Sequence, residues 1–126
     1  MLNNLGFVIT DTPRSYIYFQ VLKANNLLPN YFIYLQNHNH KKFPENKING
    51  NGIYSVPREY QAICGKKLNI KINLLKELEK LNIDFNVYKT TNIHNSYVIN
   101  KINSRAEKFF LYSGYSGVIL KKKILD

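Results

Sequence analysis

The sequence predicts an α/β domain with helices on both sides of a mostly parallel sheet, and three observations carry that expectation. Short apolar runs, Leu5–Thr10 and Tyr31–Leu35 first among them, lack the polar alternation of a strand with one wet face. Such runs suit strands buried on both faces. A helix-length segment is all that separates these two runs, so a crossover joins them, which implies parallel neighbours and a right-handed connection. The pattern then repeats along the chain as strand, helix, strand, loop, helix, strand, helix, strand. That order belongs to a three-layer α/β domain.

Each element has a local reason. Asp11-Thr12-Pro13-Arg14 turns the chain after the first strand, with Thr12 as N-cap and Pro13 in the first helical turn. From Ser15 to Asn26, Ile17, Val21 and Leu22 recur at helical spacing, and Asn25-Asn26 with Pro29 ends the helix. Tyr31–Leu35 is rich in aromatic and β-branched residues, which favours a strand. Residues 36–57 are polar and carry Pro44, Gly50, Gly52 and Pro57, so they read as an irregular surface loop. A helix is expected over Ile70–Leu81, where Leu74, Leu75, Leu78 and Leu81 share a face, with Asn82 as its left-handed exit. Ile83 and Phe85–Tyr88 form the third strand, Asn92–Ser104 a short helix, and Phe109–Tyr112 the fourth strand.

The 126 residues make one domain, large enough for a core, and 44% of them are hydrophobic. No apolar run reaches the roughly 18 residues of a membrane span, and the N-terminus has no basic region before its apolar residues. We therefore expect no signal peptide and no membrane partner. Cys64 is the only cysteine and has no internal partner to bridge, which fits a reducing cytoplasm. The formal charge of +10 attracts polyanions in general. The lysines are scattered, however, and Arg14, Arg58 and Arg105 lie far apart, so a nucleic-acid partner is disfavoured. The abundance of Asn, Lys, Ile and Tyr without Trp is what an AT-rich coding sequence produces.

The chemistry-bearing stretch is Tyr112-Ser113-Gly114-Tyr115-Ser116-Gly117-Val118-Ile119-Leu120. Open α/β sheets bind ligands in the crevice beyond the carboxyl ends of their strands. Gly114 and Gly117 permit close approach to the backbone, although spacing alone favours an ordinary turn. If the first and fourth strands are neighbours, Thr10–Arg14 and Gly114–Gly117 line one cleft. Thr12 and Arg14 would then face a substrate, the arginine suiting a phosphate or carboxylate. His38 and His40 have metal-ligand spacing but no third ligand nearby in sequence, so two solvated histidines is the favoured reading. Cys64 reads as a small packing residue, and His94 as a surface or capping residue.

The run from Tyr112 to Leu125 resembles a segment of the formyltransferase family, which includes methionyl-tRNA formyltransferase and the sugar N-formyltransferases. There a strand ends in a small/Gly/Tyr loop, followed by an Ile-Leu pair and a short helix. Thr12-Pro13-Arg14-Ser15, Asn25-Asn26-Leu27-Leu28-Pro29 and the order of later elements are similar to the opening of formyltransferase-like proteins. The resemblance spans most of the chain outside 36–57. It implies a Rossmann-like fold and transfer of a formyl group from 10-formyltetrahydrofolate to an amine, such as that of an amino sugar nucleotide. It also implies that Gly114, Tyr115, Gly117, Val118, Ile119 and Leu120 line the folate pocket. The family's catalytic Asn, His and Asp follow on a later strand and have no counterpart in residues 1–126. The resemblance therefore implies a domain truncated before the catalytic strand and inactive alone, with a second polypeptide bringing those groups. Such a domain would leave a sheet edge open to another chain. Two other readings stand beside it: a non-catalytic nucleotide- or folate-binding module, and a basic nucleic-acid-binding protein. The Gly-x-Gly-x-x-Gly fingerprint is absent after the first strand, which weakens a nicotinamide version of the former.

Overall fold

A computed structural model describes residues 2–37 and 52–114. The order is β1 (Leu2–Thr10), α1 (Pro13–Ala24), β2 (Pro29–Leu35), β3 (Ile53–Ser55), α2 (Gln61–Cys64), β4 (Lys67–Asn69), α3 (Leu74–Lys80), β5 (Asp84–Tyr88), α4 (Ser96–Ser104) and β6 (Phe109–Tyr112). A single 3-10 turn, Arg58–Tyr60, leads into α2. Four strands form one sheet in the order β5-β2-β1-β6, and every pairing in it is parallel. The domain is thus α/β with a parallel sheet between helices.

Strand alternation builds the two faces. Phe7 and Ile9 of β1 point to one side with Phe32 and Tyr34 of β2, where Phe19 of α1 and Leu74 and Leu78 of α3 cover them. Val8, Tyr31, Ile33 and Leu35 point to the other, where Val98 of α4 and Ile93 cover them. Each fully buried side chain of this size contributes roughly 1.5–3 kcal/mol over leaving it exposed. Gly6 is needed where it stands. Phe110 of the neighbouring strand lies across it, and a Cβ there would run into that ring. The space lets Phe110 meet Tyr31 edge-on, with centroids 6.4 Å apart.

The helix ends follow the expected chemistry with some shifts. Thr12 caps α1, its hydroxyl accepting from the Ser15 N–H, with Pro13 in the first turn. The helix expected over 70–81 is confined to Leu74–Lys80. Asn73 caps it, and Ile70 is used earlier, its N–H donating to the Gly52 carbonyl. Asn95 likewise starts α4 at Ser96 rather than at Asn92. Asn26 and Asn82 leave their helices with φ of 56° and 54°.

The largest departure lies between β2 and α3. The loop expected over 36–57 ends in a strand: Ile53–Ser55 pairs antiparallel with Lys67–Asn69. Three residues per strand do not sustain a hairpin alone. Gln20 of α1 completes it, its amide donating to the Asn69 carbonyl at 2.6 Å and accepting from the Asn69 N–H at 2.9 Å. A helix side chain thus stands in for the peptide group of a further strand. The rest of that expected loop, including His38 and His40, lies outside the described residues. No helix among the described residues is long and apolar enough to cross a membrane.

Candidate functional site

In the order β5-β2-β1-β6 the chain runs outward from β1 to β2 to β5, then crosses back to β6 on the far side of β1. The sheet's direction of growth therefore reverses between β1 and β6. A crevice opens at such a point, beyond the carboxyl ends of the two strands. The expected adjacency of the first and fourth strands is what the structure shows, with Leu5–Val8 beside Phe109–Tyr112. The Ser113 N–H continues the ladder by donating to the Val8 carbonyl at 2.9 Å.

The floor of this crevice is a knot of hydroxyls. The side chain of Ser15, fully buried in the first turn of α1, is its centre. Its Oγ lies 2.8 Å from Thr10 Oγ1, 2.8 Å from Ser113 Oγ and 3.1 Å from Thr12 Oγ1. It also accepts from the Thr10 N–H at 3.2 Å. Thr10 and Thr12 hydroxyls are 3.0 Å apart. One residue therefore ties the end of β1, the start of α1 and the end of β6 together. Nothing in the knot titrates in the physiological range, so it holds the rim without placing a charge in it.

The end of β6 also carries a polar group on the face that α4 covers, where Tyr112 packs with Val8. The hydroxyl of Tyr112 is buried with no hydrogen-bond partner among the described residues, and burial raises its pKa. It lies against Gly114, where any side chain would collide with it. A buried donor left unpaired costs about 1–3 kcal/mol, which a ligand carrying an acceptor recovers. The rim on the β2 side is ordered by Asp11, which accepts from the Asn37 N–H at 3.0 Å.

Of the residues expected to serve a substrate, Thr12 belongs to the knot. Arg14 does not; it stands exposed in the first turn of α1, with no acidic partner among the described residues. Gly114 sits at the crevice, whereas Tyr115, Gly117, Val118, Ile119 and Leu120 lie outside the described residues. His94 is half-buried in the turn before α4, its N–H donating to Asn92 Oδ1, and Cys64 is half-buried in α2. Sequence reading missed Ser15 and Ser113. A serine three residues after an N-cap threonine looks like an ordinary helix residue; its small size on a buried face was the available signal. No protein-family model, curated protein or solved structure matches this chain.

Proposed function

We propose that this chain is the ligand-binding part of a formyltransferase-like protein of the cytoplasm, Rossmann-like in fold. The crevice between β1 and β6 holds the donor 10-formyltetrahydrofolate and brings an acceptor amine to it. The donor supplies the formyl group when bound. The protein's own residues bind and orient: Gly114 admits the donor to the backbone, the Tyr112 hydroxyl offers it a hydrogen bond, and Thr12 borders the acceptor side. Tyr115, Gly117, Val118, Ile119 and Leu120 complete the donor pocket by resemblance. The observation that supports this reading most is the orphaned Tyr112 hydroxyl beside Gly114, at the point where the sheet reverses.

Formyl transfer needs a base for the amine proton and a donor for the developing oxyanion. The hydroxyl knot offers no such base, so the Asn, His and Asp of the resemblance come from a second polypeptide in this reading. The acceptor is an amine on a small molecule, with a sugar nucleotide as the leading class. A non-catalytic folate- or nucleotide-binding module is the second reading, favoured by the same neutrality of the knot.

Calorimetric titration with the chemically stable 5-formyltetrahydrofolate tests the donor site. We expect saturable binding that Gly114→Val and Tyr112→Phe weaken by about tenfold, the worth of one good hydrogen bond. No formyl transfer to any amine is expected from the chain alone. Absence of binding at millimolar ligand would remove the folate reading, and turnover by the isolated chain would show that the catalytic groups have been misassigned. Binding of nucleotides but not of folate selects the second reading.

A further inference from the structure

Along the outer flank of α1 runs a groove of about 430 Å³, walled by Ile17, Tyr18, Val21 and Leu22 and floored by Phe7 and Leu111. Tyr18 is 47% exposed and Leu111 41%, and Phe109, two residues before Leu111 on the same face of β6, is 69% exposed. Among the described residues β6 pairs only with β1. Its Phe-Phe-Leu-Tyr edge carries none of the lysine, proline or bulge devices that protect an edge strand. Among the described residues nothing covers this continuous apolar surface.

Three features say what fits there. The first is handedness. The crossovers β1-α1-β2 and β2-α3-β5 step away from β6 and put both helices on the groove's face. The return crossover through α4 steps the other way and puts its helix on the opposite face. A right-handed crossover continuing outward past β6 would again use the α4 face and leave the groove open.

The second is width. α1 covers β1 and β2. If two copies paired edge to edge through β6, their α1 helices would be about four strand spacings apart, about 19 Å. Two helices of about 10 Å diameter would leave a trough of about 9 Å between them, about one helix wide. A second copy thus hides the edge and leaves the groove uncovered. The rows Ile17/Val21 and Tyr18/Leu22 are i, i+4 ridges of the kind that receive another helix.

The third is charge. Arg14 precedes Ile17 by three residues and Tyr18 by four, so it caps the same flank. It is exposed and without an acidic partner among the described residues, in a chain of net charge +10. We infer that the groove receives an amphipathic helix of another polypeptide, its apolar face against Tyr18, Leu22 and Leu111 and an acidic side chain against Arg14. The inference rests on other observations than the formyl-transfer reading, although Tyr112 and Ser113, at the end of this groove, also border the crevice.

A labelled synthetic amphipathic helix of about 16 residues, long enough to be helical, is the probe. One version carries leucines on one face and glutamates along its flank; a second has lysines in place of the glutamates. Anisotropy titration with the 126-residue protein should show saturable binding of the acidic version and at least about tenfold weaker binding of the basic one. Tyr18→Asp and Leu111→Asp should each weaken the acidic version by about tenfold or more. Arg14→Glu should reverse the preference between the two peptides. All three positions are exposed or nearly so, and an unchanged circular dichroism spectrum confirms that each variant folds. Equal binding of both peptides, or binding indifferent to these substitutions, overturns the inference. So does a dimer in solution that Tyr18→Asp or Leu111→Asp splits, because the groove would then belong to a second copy.

Discussion

The two ends of β6 are tied down by opposite chemistry. At its carboxyl end the tie is the neutral hydroxyl knot of Ser15, Thr10, Thr12 and Ser113. At its amino end it is ionic. Arg105, leaving α4, donates to Glu107 through Nη2 at 2.6 Å and through Nε at 3.2 Å, and to Asp84 through Nη1 at 3.0 Å. Its guanidinium lies 3.7 Å from the centre of the Tyr31 ring. Glu107 is only 4% exposed, so the pair is worth more than a surface ion pair, whereas Asp84, at 64%, adds little. The comparison teaches a division of labour. Full charges hold the strand at its amino end, and neutral hydroxyls hold it at its carboxyl end.

The sharpest way to break the symmetry is at the ionic end. Arg105→Ala leaves the Glu107 carboxylate with only its own backbone N–H as a partner, and we expect a loss of about 2–3 kcal/mol in urea unfolding, below the fully buried case because Arg105 is partly exposed. That loss should depend on pH. The hydrogen bonds from Arg105 hold the Glu107 carboxyl below its ordinary pKa of 4.5. A carboxylate whose folded pKa is depressed contributes stability above its unfolded value and loses it as pH falls through the folded one. Wild type and Arg105→Ala should therefore begin to converge as the pH falls past 4.5 and meet below the depressed pKa of Glu107. A gap that persists there would mean that the guanidinium's packing on Tyr31, and not its charge, carries the effect.

The neutral end should respond less and without pH dependence. Ser15→Ala strands the Thr10 N–H and the Ser113 hydroxyl in a buried site, for about 2 kcal/mol. Its loss should be the same at pH 4 and pH 8; a pH-dependent loss would point to a titrating group in the crevice. Smallest of all is Thr12→Ala, about 1 kcal/mol, the usual worth of an N-cap. Measured together, Ser15→Ala and Thr12→Ala should be non-additive, because both remove the same 3.1 Å contact. Strict additivity would show the knot to be two separate ties.

The same contrast marks what the sequence could tell. β1, α1, β2, β5, α4 and β6 were legible because each carries its own signal: an apolar run such as Phe32-Ile33-Tyr34-Leu35, or a cap such as Thr12-Pro13. The adjacency of β1 and β6 entered as the premise of the cleft, and the sheet order bears it out. What stayed hidden depends on partners far along the chain. Arg105 finds Asp84 across 21 residues and Ser15 finds Ser113 across 98, distances at which local pattern is silent. The hairpin of β3 and β4 was missed because three-residue strands show no periodicity, and its completing group belongs to a helix. Of the candidate site, Gly114 and Thr12 were found from turn chemistry, while Ser15, which ties Thr12 to the Ser113 preceding Gly114, was not.

Gln20 gives that hairpin a dependent status. Its two bonds to Asn69 mean that fraying of α1 cancels the hairpin's outer support, while the hairpin can come undone with the helix intact. The amide proton of Asn69, on a three-residue strand near the surface, should for that reason exchange with solvent no more slowly than the middle of α1 opens, a peripheral reporter of an interior event.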